Sequence, residues 1–239
     1  MRAVVFAGPT VTRKDIETGN GVEWRPPARQ GDVLRATRER PVAIGIVDGY
    51  FERVPAVWHK EVLYALSTGV HVLGAASMGA LRAAELYHFG MEGVGEVFDA
   101  YRRRLLEDDD EVAVAHADAE AGYRAISESM VNVRATVLRA EAEGVLDSGA
   151  GTRLMRAAKD LFYAERSYPR AAVLAGFDDE ATARFLGWLP GGRVDVKRRD
   201  ALLMLRRMSD LVADGQPHSP RFKFERTLFW DQMVKEGPA

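Results

Sequence analysis

Residues 69–85, GVHVLGAASMGALRAAE, constrain the fold more than any other stretch. A short apolar run, Val70-His71-Val72-Leu73, has the length and character of a buried strand. It turns through Gly74-Ala75-Ala76 and continues as Ala80-Leu81-Arg82-Ala83-Ala84-Glu85-Leu86, a run of strong helix formers. Two earlier segments complete a pattern around it. Residues 2–7 (RAVVFA) and 41–47 (PVAIGIV) read as further buried strands, and Val54, Val57, Trp58, Leu63 and Leu66 space themselves as an amphipathic helix between the second and third. Strand, helix and strand in succession predict a parallel sheet. The expected fold is α/β: an N-terminal three-layer unit with a mainly parallel, Rossmann-like sheet over residues 1–92, a mainly helical continuation of that core over 93–145, and a helical C-terminal region over 146–239.

Ser77 stands where the third strand becomes a helix. Its setting, Ala75-x-Ser77-x-Gly79, approximates the small-x-Ser-x-Gly pattern of a nucleophile elbow. Such a turn lifts a hydroxyl out at the carboxyl end of a strand and aims the first free N–H groups of the next helix, here those of Met78 and Gly79, at a forming oxyanion. The competing reading is a plain helix cap, since Ser is a favoured N-cap. Ala80 stands three residues on where a capping box would have Glu or Gln. A cap also does not require small residues on both sides, so the active-site reading leads.

The other two strands end in loops of the same kind. Gly8-Pro9-Thr10 follows the first and Asp48-Gly49-Tyr50-Phe51 the second. In an open α/β sheet, ligands bind at these carboxyl ends. Gly8-Pro9-Thr10 alone reads as an ordinary turn; three loops gathered on one edge, at 8–10, 48–51 and 74–79, make the stronger argument. His59 and Lys60 fall near the start of the helix after Asp48 and are expected to line the same pocket.

Composition narrows the chemistry. The net charge of −2 and pI near 6.2 leave no electrostatic footprint for nucleic acid. No apolar run approaches a membrane span and the start lacks a signal-peptide pattern, so a cytoplasmic location is the default expectation. The absence of cysteine excludes disulfides, thiolate metal sites, a cysteine nucleophile and a persulfide carried on the chain.

The remainder is read more coarsely. Residues 19–31 look irregular, leading into a short helix that ends near Arg40. A helix over 96–106 precedes the acidic run 107–111, which offers oxygen ligands for a divalent metal but reads better as a solvated surface. Val112-Ala113-Val114 resembles a fourth strand, and residues 119–143 form one long helical pattern in which Asn132 and Arg134 either serve a polar site or cap a neighbour. Helices are expected over 153–165, 179–188, 197–213 and 220–234, with breaks at Pro190-Gly191-Gly192 and at Gly215-Gln216-Pro217. The charged segment 195–200 reads as a surface helix, with partner contact as the sharper alternative.

At Asp48-Gly49-Tyr50-Phe51, Val57-Trp58-His59-Lys60-Glu61 and Gly74 through Glu85, the chain closely resembles the TfuA-like family. The likeness extends through Asp109-Asp110-Glu111-Val112-Ala113-Val114 and Met130-Val131-Asn132-Val133-Arg134-Ala135-Thr136; Gly8-Pro9-Thr10 fits, and 197–200 is a weaker echo. The resemblance implies a partner of YcaO enzymes, which activate peptide backbone amides, acting in peptide thioamidation. It also implies a sulfur supply, by hydrolysis of the C-terminal thiocarboxylate of a ubiquitin-like sulfur carrier, and assistance to the YcaO in holding its precursor peptide.

The residues are compatible with that chemistry. Thiocarboxylate hydrolysis is acyl transfer, which needs a nucleophile, a base and an oxyanion hole. Ser77 is the candidate nucleophile, Lys60 the slightly preferred base and His59 the reserve, with Met78 and Gly79 as oxyanion donors. Gly8, Thr10, Asp48, Tyr50, Arg82, Asn132 and Arg134 are the candidate substrate-binding residues, Arg82 either as the cation beside Lys60 or as a carboxylate ligand. No cofactor or metal is expected, nor nucleic acid or membrane as partner. The rival from another class is a non-catalytic adaptor that binds the YcaO or its peptide. A nucleotide-binding reading of 74–79 is weaker, because the loop has neither a Walker lysine nor a G-x-G-x-x-G spacing.

Overall fold

A computed structural model describes residues 1–15, 21–50 and 54–236; Phe51 of the second strand-end loop lies outside them, as do Gly19 and Asn20 of the irregular stretch. Contacts divide the chain into two units, Met1–Leu106 with Arg198–Ala239, and Glu107–Lys197.

The first unit is built on a five-stranded, wholly parallel sheet of β1 (Ala3–Phe6), β2 (Val22–Arg25), β3 (Ala43–Ile46), β4 (His71–Ala75) and β5 (Glu92–Val94), in the order β2-β1-β3-β4-β5. The three expected strands are present and parallel. β2 and β5 were not expected, because each is a short, half-buried edge strand without an apolar run.

Winding direction explains the layers. From β2 the chain crosses to β3 through α1 (Asp32–Arg38), to β4 through α2 (His59–Ser67) and to β5 through α3 (Met78–Leu86). All three crossovers run the same way across the sheet, and right-handed crossovers in one direction put their helices on one face. The opposite face is covered by α9 (Val196–Asp214), whose Ala201, Met204, Leu205, Met208 and Leu211 pack on Ala3, Val5, Ala43, Val47, Leu73 and Ala75. Gly45 in the middle of β3 makes room for this layer: a Cβ there would stand 2.4 Å from the Met208 sulfur.

The segment 195–200 is not a surface helix. Lys197 and Asp200 are buried. Asp200 accepts the N–H groups of Glu96 (3.0 Å) and Val97 (2.8 Å), capping α4 (Glu96–Arg102), while the Lys197 ammonium donates to the Val112 carbonyl at 2.7 Å. Mixed charge signs therefore mark buried partners here. Burial pushes the Asp200 carboxyl up to about 6 against its two amide donors.

The second unit is helical: α5 (Met130–Ala142), α6 (Ser148–Asp160), α7 (Tyr168–Leu174) and α8 (Asp179–Gly192) share one apolar cluster around Phe185, Leu154 and Val137. The helical pattern at 119–143 yields a helix only from Met130. Gly122 and Tyr123 are both left-handed, at φ 67° and 58°, which stops a helix. Val112–Val114 is not a strand: a 3-10 turn at Asp109–Glu111 precedes it. The expected break at 190–192 is also absent, α8 running on to Gly192, where the Trp188 ring packs so closely that a Cβ would stand 2.1 Å from it. Residues 215–227 are not helical, and α10 begins at Leu228.

The acidic run is a solvated surface only over Glu107, Asp108 and Asp109, which are exposed; Asp110 is half-buried and Glu111 buried. Lys159 Nζ pairs with Asp110, with Asp108 at 3.0 Å and with Glu111 at 3.1 Å. Arg166, fully buried, donates to the Asp110 carboxylate (2.7 Å), the Asp110 carbonyl (2.9 Å) and the Ala158 carbonyl (2.8 Å). Asp108, Asp110 and Glu111 have the spacing of a metal site, but an ammonium already lies among them.

Candidate functional site

The chain leaves β1 toward β2 and leaves β3 in the opposite direction, toward β4, so the sheet has its topological switch between β1 and β3. Open α/β sheets bind ligands in the crevice at that point. Asp48 occupies it. Its Oδ2 accepts the N–H groups of Gly8 (2.9 Å) and Thr10 (3.0 Å), and its Oδ1 accepts the Thr10 hydroxyl at 2.6 Å. The carboxylate is 1% exposed, so it shapes the loop after β1 from within. Tyr50, half-buried, continues the same edge by donating its N–H to the Ala28 carbonyl at 3.1 Å.

One strand further on, β4 ends in an abrupt turn. Ala76 has φ 65°, an uncommon conformation for a residue with a Cβ, and the Ser77 N–H donates to the Ala75 carbonyl only two residues back, at 2.7 Å. This is a strained three-residue turn of the kind that concentrates at functional sites. Ser77 is the N-cap residue of α3, yet its side chain makes no capping hydrogen bond. Its position is not explained by capping, and it is 3% exposed.

Gly74 and Gly79, before and after Ser77, have a packing role. A Cβ on Gly79 would stand 1.7 Å from the Ile46 carbonyl oxygen, and one on Gly74 would stand 2.0 Å from the Gly79 carbonyl oxygen. Helix α3 therefore lies directly on the backbone of β3 and β4. The Gly79 N–H donates to the Val47 carbonyl at 3.3 Å, so that amide serves this packing, whereas Met78 occupies the first helical position, where amides lack an intrahelical acceptor. The Met78 side chain closes over Gly49.

His59 and Lys60 open α2 at the same edge, and neighbours on a helix point about 100° apart. They engage different surroundings. Lys60 Nζ lies 5.0 Å from the centre of the Phe224 ring, in a cation–π contact within the aromatic group of Tyr64, Phe224 and Trp230. His59 Nε2 lies 2.7 Å from Glu85 Oε2 on α3. Glu85 also receives Arg82 (2.7 Å), whose Nε donates to the Val57 carbonyl at 2.9 Å. Arg82 is thus committed to a carboxylate of this chain. Burial pushes the Glu85 carboxyl up, but the His59 hydrogen bond and the Arg82 charge outweigh it and hold it below its ordinary value.

Glu85 and Glu61 are the residues that spacing did not single out. Glu61 is fully buried and accepts the N–H groups of Gly31 (2.8 Å), Leu34 (3.1 Å) and Trp58 (3.3 Å), tying the starts of α1 and α2 together. Burial raises its pKa, the three amides opposing and the nearby Asp32 charge adding to the rise. The available signal was its position, third in α2, where a Glu reaches back to the N-cap amide.

Asn132 and Arg134 belong to the second unit, and both have structural partners there. The Asn132 carboxamide oxygen accepts the N–H groups of Val196 (2.9 Å) and Lys197 (3.4 Å), and its nitrogen donates to Glu128 and Asp195. Arg134 makes a two-pronged pair with Glu111 at 2.8 and 3.0 Å. Of the alternatives open from sequence, Asn132 takes the capping one.

The family model for TfuA-like proteins matches residues 48–167. The chain belongs to the TfuA-like family. This family is associated with YcaO-dependent thioamidation and works with YcaO-type proteins. The match begins at Asp48 and includes His59, Lys60, Ser77, Glu85, Asn132 and Arg134, while Gly8-Pro9-Thr10 and 197–200 lie outside it. No curated protein matches the chain. Among the described residues, no helix is long and apolar enough to cross a membrane.

Proposed function

We propose that this TfuA-like protein hydrolyses the C-terminal thiocarboxylate of a ubiquitin-like sulfur carrier and delivers the sulfide to a YcaO partner that thioamidates a peptide. The observation that carries the reading is the turn at Ala75–Ser77. A strained backbone presents a serine that does not cap its helix, at the carboxyl edge of a parallel sheet.

In the proposed reaction the Ser77 oxygen forms a bond to the thiocarboxylate carbon, the C–S bond breaks, and the sulfur leaves as hydrogen sulfide. Water then attacks the resulting ester and frees the carrier's carboxylate. The Met78 N–H is the candidate donor to the oxyanion. His59 is favoured as base over Lys60, because a carboxylate fixes its ring: with Nε2–H donated to Glu85, Nδ1 is the proton acceptor, the same logic by which a carboxylate orients histidine in a serine triad. Lys60 Nζ lies over the Phe224 ring instead, and among the described residues no carboxylate orients it.

The adaptor reading is favoured by a different observation, the near-complete burial of Ser77 together with the use of the Gly79 amide in packing. The experiment that separates the two mixes purified protein with a thiocarboxylated carrier and follows sulfide. Release that is abolished in Ser77→Ala supports the hydrolase; release by Ser77→Ala at the wild-type rate ends the serine mechanism, and no release by the wild type above the carrier alone makes the protein an adaptor.

A further inference from the structure

A cleft of about 740 Å³ opens in the first unit at the amino-terminal edge of the sheet, bounded by residues that precede β1, β3 and β4. It lies across the sheet from Asp48 and Ser77, so it is not the candidate site described above. Its volume is within the usual range for small-molecule sites, roughly 300–1,000 Å³. Val42, Val70 and Tyr64 are among its apolar lining, and three arginines, Arg2, Arg38 and Arg40, line it as well.

The arginines are not equivalent. Arg2 is paired with Glu23 and Glu39. Arg38 has one long hydrogen bond, 3.5 Å to the Val234 carbonyl, and belongs to the last turn of α1, where a cation complements the helix dipole. Neither account covers Arg40. It lies beyond the helix and makes no ion pair among the described residues, yet it holds a left-handed conformation at φ 55°. That place after a helix end is one that glycine fills without strain. An arginine there lines the cleft despite the backbone cost.

We propose that this cleft binds a small oxyanion-bearing molecule, its phosphate or carboxylate group on Arg40 and Arg38 and its apolar body against Tyr64, Val42 and Val70. Guanidinium forks match both acid groups in two-pronged geometry. The carbonyl ends of α1 and α2 also face this edge, so a ligand held here must gain more from the arginines than it loses to those helix ends.

The test titrates the full chain with phenyl phosphate, benzoate, inorganic phosphate and phenol, followed by calorimetry or ligand-observed NMR. Saturable binding of phenyl phosphate or benzoate is expected, at least tenfold tighter than inorganic phosphate, with phenol not binding; whichever of the two acids binds more tightly identifies the acid group. Arg40→Gly keeps the left-handed backbone while removing the guanidinium, so the protein stays folded and the binding weakens tenfold or more. Arg103→Ala, which removes an exposed arginine elsewhere in the unit, leaves binding unchanged. Failure of both acids to saturate overturns the proposal, as does equal binding by wild type, Arg40→Gly and Arg103→Ala, which would mean surface charge alone.

Discussion

The carboxyl edge of the sheet and the polar network of the helical unit use similar residues to opposite ends. Around Asp110, the charged groups neutralise one another: Lys159 lies among three carboxylates, Arg166 is buried on carbonyls and Asp110, and Arg134 grips Glu111. At the carboxyl edge, Asp48 and Glu61 are more deeply buried than Lys159 and Asp110 and accept backbone amides, fixing the shape of loops around a strained turn that bears a serine. A network of matched charges stabilises packing, whereas carboxylates bound to loop amides pre-form a surface. Composition does not tell these apart, since both regions are rich in acids and arginines.

Several substitutions sharpen that contrast. The largest expected effect is at the proposed base. His59→Ala should lower sulfide release by several orders of magnitude, as loss of a member of an acyl-transfer group does, with Lys60→Met changing it much less. Initial rates with a thiocarboxylated carrier decide this, and the reverse ranking would return the base role to Lys60. Next is Arg166→Met in the helical unit. Removing one partner of a buried, hydrogen-bonded pair costs about 3–5 kcal/mol, to be read as a shift in urea unfolding. A shift under about 1 kcal/mol would mean that Lys159 alone holds the acidic run.

Asp48→Ala removes acceptors from two amides and a hydroxyl. A loss of about 2–4 kcal/mol is expected, since buried donors left without partners cost about 1–3 kcal/mol each. If the loop is pre-formed for catalysis, sulfide release falls further than the folded fraction does. A fall in proportion to the folded fraction would put Asp48 in the same class as Asp110.

The smallest effect is a pH dependence at Asp200. Its carboxyl is raised to about 6 in the folded chain, against an ordinary value near 3.9. Between those values the folded state binds more protons than the unfolded state at this position. Its contribution is therefore greatest below about pH 4 and declines as pH rises to about 6. Unfolding midpoints measured from pH 4 to 7 should show that component in wild type and lack it in Asp200→Asn; parallel curves for the two proteins would refute it.

The sequence by itself determined the parallel sheet, the gathering of three loops on one edge and the family. Each depends on local order: apolar runs of strand length, a helix pattern between them and a contiguous motif around Ser77. Tertiary structure alone decided which helix covers the second face of the sheet, because three crossovers of one hand leave that face open and α9 arrives from more than a hundred residues further along. It decided the roles of charged residues for the same reason. Lys197 and Asp200 look like a solvated helix start until their partners at Val112 and at Glu96 and Val97 are known, and His59 differs from Lys60 only because one meets Glu85 and the other Phe224. A charge in a sequence carries no record of what it is buried against; that is set by chain segments brought together only on folding.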